Sequence, residues 1–186
     1  MVSLTELWLP ILLAAVFVFL ASWLFHMFLP HHRSDYAKVP REDEFMAAVG
    51  QFNIPAGDYS VPRPAGMKDM QSPEFQAKWK KGPVLWMTVL PRGQNFMGRS
   101  LAEWFVYCLV VSVFAAYICT RALQRGAPYL EVSRFASTMA FAAYGLALWQ
   151  NSIWYRRKWS TSLKSNLDAI VYGFLTGGAI GWLWPR

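Results

Sequence analysis

Cysteine is nearly absent: Cys108 and Cys119 are the only two in 186 residues. Within one helical stretch they would stand about 16 Å apart along the axis, too far for a disulfide. No C-x-x-C occurs, so both are read as small apolar residues and a thiol redox centre is excluded. Charge is also sparse, at 16% of residues, with only 11 acids against 18 Lys and Arg. No G-x-S-x-G, phosphate-binding loop or dinucleotide fingerprint is present, which removes the nucleophile-elbow and nucleotide-dependent classes. The interiors of three of the four long apolar runs contain no ionisable side chain. Proton relays and ion-coupled transporters are built on such groups, so that class is not expected either.

What is present in excess is apolar and aromatic surface: 55% hydrophobic residues, 17% aromatic, ten of them Trp. Four apolar runs, residues 7–29, 101–123, 135–155 and 167–184, reach the roughly 20 residues that a hydrocarbon core of about 30 Å requires. The expected fold is an all-α integral membrane protein with four transmembrane helices and a small α+β insert between the first two. Its parts are an N-terminal helix (1–29), an insert (30–100) and a three-helix region (101–186). The first run lacks a basic leader and follows Glu6, so it is read as a retained anchor rather than a secretory signal. Ten Lys and Arg fall between the first two runs, three between the second and third, four between the third and fourth, and one at the end. The positive-inside rule then places residues 30–100 in the cytoplasm and both termini outside a bacterial inner membrane. Trp104, Trp154 and Trp159 would mark the inner boundary, and Trp8, Trp182 and Trp184 the outer one. The net charge of +7 is absorbed by this bias, and no nucleic-acid partner is expected.

Within the insert, "PREDEFMAAVG" reads as a helix with Pro40 in its first turn and Glu42, Asp43 and Glu44 at its positive end. "SPEFQAKWKKG" reads as a second, capped by Ser72, with Trp79 on an apolar stripe and Lys78, Lys80 and Lys81 near its C-terminus. That basic end is a solvated terminus, or a contact for anionic lipid or an acidic partner. "PVLWMTVL" reads as a strand, and "NIPAGDYSVPRPAG" as turns.

Candidate chemistry is thin. His26, His31, His32 and Asp35 are the only cluster of metal-ligand types, but their spacing matches no helical ligand pair, and no metal site is expected. No cofactor is expected; His26 alone could ligate haem or a chlorin as a neutral imidazole. Glu103, three residues after Ser100, reads as a capping box, and Asp168 as a partner of the helix dipole at the start of the fourth run. Tyr144, Gln150 and Asn151 form a candidate polar pocket.

Small residues recur every four positions along the fourth run, at Ala169, Gly173, Gly177 and Gly181, and along the third, at Ala136, Ala140, Ala143 and Ala147. In lipid such stripes let helix backbones approach. They predict a tight hairpin of runs three and four, or reception of a helix from another subunit. The stretches "HHRSDYAKVPREDE", "GPVLWMTVLPRG", "FMGRSLAEWFVYC", "NSIWYRRKWS" and "GWLWP" together resemble a set of small uncharacterised four-helix bacterial inner-membrane proteins with no assigned activity. The resemblance implies no catalytic residue. The function expected is therefore a non-catalytic accessory or assembly subunit of a larger inner-membrane complex, its partners other integral subunits and membrane lipids, with lipid or pigment held at its helix surfaces. A small transporter or membrane enzyme using the Gln150 pocket is the alternative from another class.

Overall fold

The computed structural model describes residues 2–186. In chain order it contains α1 (Trp8–Met27), α2 (Glu42–Gly50), β1 (Gly57–Val61), α3 (Met67–Met70), α4 (Pro73–Lys81), β2 (Leu85–Val89), α5 (Met97–Ala122), α6 (Tyr129–Tyr144), α7 (Trp149–Trp154) and α8 (Trp159–Trp182). Short 3-10 segments at Leu4–Leu7, Pro30–Ser34 and Leu146–Leu148 join or extend them. The chain divides into two compact units, the residues up to Ala37 with Phe96–Arg186, and Lys38–Asn95.

The larger unit is helical. Its helices pack α1 against α5, α5 against α6, α6 against α8, and α8 back against α1. Two segments, Leu4–Met27 and Met97–Ala122, are long and apolar enough to cross a membrane by length and composition, which is compatible with a membrane protein. The core is built of small side chains: Ala14, Ala15, Ala115, Ala116, Ala136 and Ala140 are fully buried. Large apolar side chains such as Leu20, Phe114, Phe135, Leu167 and Phe174 point outward.

The tightest pair is α6 with α8, and its contact face differs from the one the alanine spacing suggests. A Cβ placed on Gly181 would meet Tyr129; on Gly177, Ser133 and Ser137; on Gly173, Ser137 and Phe141. At the far end, a Cβ on Gly145 would lie 3.0 Å from that of Ala169. The antiparallel partner of the glycine stripe is therefore Tyr129, Ser133, Ser137, Phe141 and Gly145, again four apart. Ala136 and Ala140 point instead into the core shared with α1 and α5. Ala143 is half-buried, and Ala147 is exposed on the 3-10 segment beyond the helix, so it belongs to no packing stripe.

Residues 135–155 are not one helix. α6 stops at Tyr144, and the chain turns through Leu146–Leu148 into the short α7, because Gly145 both tolerates the close approach of α8 and weakens the helix there. α8 in turn begins at Trp159, well before residue 167. Its polar first turns are satisfied across the helix pair: Ser162 Oγ lies 2.7 Å from Ser152 Oγ, and Trp149 Nε1 donates to Asn166 Oδ1 at 3.1 Å. α5 likewise starts earlier than residue 101, with Phe96 at its cap; Glu103 takes no part in a capping box and instead accepts from Arg99 Nε at 2.7 Å. Trp184, read as an interfacial anchor, is buried and donates its indole N–H to Gln124 O at 3.0 Å.

In the smaller unit β1 and β2 pair antiparallel, Gly57 opposite Val89 and Val61 opposite Leu85. Thr88 donates its hydroxyl to Asp58 Oδ1 across the ladder at 2.6 Å. β2 lies where the β-branched run predicts it; β1 occupies the stretch read as turns. α4 is capped as its sequence requires, Ser72 Oγ accepting from Phe75 N at 3.1 Å. α2 starts two residues later than expected, at Glu42, with Arg41 as its cap and Pro40 outside it. The unit spans 38–95 rather than 30–100, because residues 30–37 fold back onto the helical unit.

Candidate functional site

The helical unit gathers three histidines, two aspartates and a lysine around the end of α1. His26 sits in the last turn of α1 and donates Nδ1–H to the carbonyl of Ser22, one turn back, at 2.9 Å. Ser22 is itself fixed, its Oγ donating to Phe19 O and accepting from Trp104 Nε1 of α5 at 2.8 Å. After α1 the 3-10 turn Pro30–Ser34 reverses the chain and presents His31 and His32 to α8. His32 Nδ1 lies 2.7 Å from Asp35 Oδ2, and its Nε2 lies 2.6 Å from Asp168 Oδ2. His31 Nε2 approaches the other oxygen, Asp168 Oδ1, at 3.1 Å. Lys164, one turn before Asp168 on α8, donates to His31 O (2.5 Å), Ser34 Oγ (2.7 Å) and Asp35 Oδ1 (3.0 Å).

The side chains of Asp35, Asp168 and His32 are only 7%, 8% and 12% exposed, so their charges must be balanced among themselves. Two carboxylates facing Lys164 and a doubly protonated His32 achieve that. Burial disfavours the charged His32, but its hydrogen bonds to Asp35 and Asp168 and the charges of both outweigh it, leaving its pKa above the ordinary value of 6.5. Asp35 is likewise pushed up by burial, yet the hydrogen bonds and charges of His32 and Lys164 bring it below the ordinary 3.8. An aspartate thus supports each nitrogen of His32.

One ligand atom from each of His26, His32 and Asp168 lies within 4.8 Å of the other two. A tetrahedral ion bound at about 2.0–2.1 Å brings its donors to roughly 3.3 Å of one another, so a side-chain adjustment on the order of 1 Å completes the set. His26 is exposed, but its ring lies nearly parallel to that of His32, with centroids 4.4 Å apart and planes 10° apart, so it must turn out of the stack to share an ion with His32. Both Nδ1 atoms are already tied off, one to a backbone carbonyl and one to a carboxylate, which is the outer-shell arrangement that orients Nε2 toward a metal. His31 stands by with a ring centroid 4.1 Å from that of His32. A macrocycle on His26 fits poorly, since the His32 ring stacks at 4.4 Å and the Asp168 carboxylate closes the same space.

The other candidate residues lie elsewhere. Tyr144 is buried among Trp104, Tyr107 and Tyr172, whereas Gln150 is exposed on α7 and Asn151 half-buried. Lys78, Lys80 and Lys81 are exposed at the end of α4, beside Trp79, which packs on Phe75 at 5.9 Å. Asp168 is the member that sequence reasoning misplaced. It is not in the first turn of a helix but the tenth residue of α8, too far from the N-terminus for the dipole role. The available signal was the fourfold spacing of Lys164, Asp168 and Tyr172, which puts a lysine, an acid and a phenol on one face. No family model matches the chain, and neither a curated protein nor a solved structure matches it.

Proposed function

We propose that this chain is a multi-pass inner-membrane protein that holds one divalent transition-metal ion at the cytoplasmic end of its helical bundle. In this reading α1, α5 and α8 each cross the bilayer, α6, at 16 residues and so about 24 Å long, completes its crossing through Leu146–Leu148 and α7, residues 38–95 face the cytoplasm and both termini face outward. The outward placement of large apolar side chains on all four helices supports it, since an apolar surface of that extent is not tolerated in water. The observation that carries the metal reading is the convergence of His26, His32 and Asp168 within 4.8 Å, with a partner on Nδ1 of each imidazole. Nitrogen and carboxylate donors suit zinc, cobalt, nickel, copper or iron rather than magnesium or calcium.

The test is titration of the metal-free, detergent-solubilised chain with cobalt(II), followed by visible absorption and elemental analysis. Wild type should bind one equivalent with the absorption of a nitrogen- and oxygen-ligated centre, and His32→Ala and Asp168→Asn should each lose it. Absence of stoichiometric binding by wild type, or equal binding by the variants, sinks the reading.

A second role, as an accessory subunit of a larger complex, is supported by the smaller unit. It carries an apolar groove of about 660 Å³ lined by Phe45, Met46, Val49, Ile54 and Leu90, with Arg92 at its rim. Phe45, Met46 and Leu90 are exposed. Gentle extraction of the tagged chain from its native membrane should recover stoichiometric companions; a lone monomer would remove this role and leave the metal site standing.

A further inference from the structure

The lipid-facing side of α6 carries a cation with no protein partner. Arg134 lies five residues into α6, about 8 Å along the axis from its start, and is exposed. Among the described residues it makes no ion pair, although Glu131 stands one turn away on the same helix. An isolated arginine at that depth in a spanning helix is expensive unless it reaches an anion at the membrane interface.

The surface on either side of it is grooved. Toward α8 lies a groove of about 560 Å³ whose apolar wall is Phe141, Ile170, Gly173 and Phe174. Toward α5 lies a second of about 410 Å³, walled by Ile118 and Met139. Arg134 and Thr138 line both grooves. One cation, a hydroxyl one turn further along the helix, and two apolar channels separating from that point match a single chemical shape. It is an anionic headgroup joined through polar esters to two hydrocarbon chains.

We infer that Arg134 and the two grooves beside it form a binding site for one anionic diacyl phospholipid. The guanidinium takes the phosphate through paired N–H donors, the geometry in which arginine surpasses lysine. Thr138 meets the ester region, and the acyl chains lie on the two sides of α6. The inference rests on the four-span reading above and is independent of the metal site.

The experiment uses the full chain extracted in mild detergent, with bound lipids counted by native mass spectrometry. Thermal unfolding is then followed after adding back phosphatidylglycerol or phosphatidylcholine of the same chain length. Wild type should retain one anionic diacyl lipid per chain, and phosphatidylglycerol should raise its midpoint more than phosphatidylcholine does. Arg134→Gln should lose both effects. Arg121→Gln, which removes an exposed cation from the last turn of α5, should keep both. Equal retention by wild type and Arg134→Gln overturns the site, as does a single-chain lipid in place of a diacyl one. Release of the chain from membranes by alkaline carbonate, with no lipid bound to any variant, overturns the membrane-spanning reading itself.

Discussion

Two adjacent glycines on α8 offer a controlled test of the α6–α8 contact. A Cβ added at Gly177 would lie 2.0 Å from Ser137 Oγ, 2.5 Å from Ser133 O and 3.0 Å from Ser137 N. The serine hydroxyl has no hydrogen-bond partner and can rotate away, but the other two atoms are backbone, so the helices must part by on the order of 1 Å. Overpacking of this kind costs about 1–3 kcal/mol. At Gly178 the same Cβ would meet nothing closer than Tyr129 Oη at 3.8 Å, an ordinary contact. Both substitutions to alanine gain the same helix propensity, about 1 kcal/mol, which cancels in their difference. Gly177→Ala should therefore be less stable than Gly178→Ala by about 1–3 kcal/mol, or roughly 2–12 °C in Tm for a chain of this size. The assay is thermal unfolding of both variants in the same detergent, followed by circular dichroism. Midpoints within a degree of each other would refute the close approach, and with it the serine face assigned to α6.

Asp168→Asn leaves a buried His32 facing a neutral amide; loss of one partner of a buried pair costs about 3–5 kcal/mol, a lower figure applying here because His32 is partly exposed, and chemical denaturation should show it. With its pKa above 6.5, His32 gives the metal-free protein stability that is fully present below about pH 6.5 and is lost as pH rises through the folded-state value, so Tm should fall across that window. Cobalt binding requires Nε2 to shed its proton and should strengthen over the same window, by up to tenfold per pH unit for this one proton, as a competition titration would read. Ser72→Ala removes the cap of α4 and should cost about 1 kcal/mol, visible as faster amide exchange at Phe75.

Where a signal is local, the sequence carries it. The presence and place of α1 and α5 follow from hydropathy, the start of α4 from a serine before a proline, and β2 from a β-branched run between prolines. The glycine stripe also announces a close approach from α8 alone. Its partner was not legible, because Ser133 and Ser137 look like polar surface until a helix without side chains lies against their backbone. β1 was hidden for a related reason: Gly57 to Val61 contains no run of strand formers, and its ladder to β2 is the interaction that makes it a strand. At the end of α6, likewise, the reason for a glycine at 145 lies in α8, where a Cβ would come within 3.0 Å of Ala169 and Asn166.

The site was illegible because it depends on where α8 begins. A helix starting at residue 167 would make Asp168 a first-turn acid, balanced by the dipole and pointing toward solvent. Ser152 and Trp149 of α7 satisfy Ser162 and Asn166, which lets α8 begin at Trp159 and carries Lys164 and Asp168 into its body, one turn apart on one face. The chain after α1 must then turn back for those two charges to find partners, and Pro30–Ser34 supplies His31, His32 and, just beyond, Asp35. Hydrogen-bonded partners in the cluster are thus separated by up to 137 positions, and no spacing rule joins them. What joins them is charge balance. With two carboxylates buried, Lys164 supplies one positive charge, and the second comes either from a proton on His32 or from a metal ion in its place. The metal-free network and the metal site are two occupancies of one arrangement, so a variant that abolishes metal binding at Asp168 should also weaken the pH dependence of stability in the metal-free chain, leaving the part that Asp35 sustains on Nδ1 of His32.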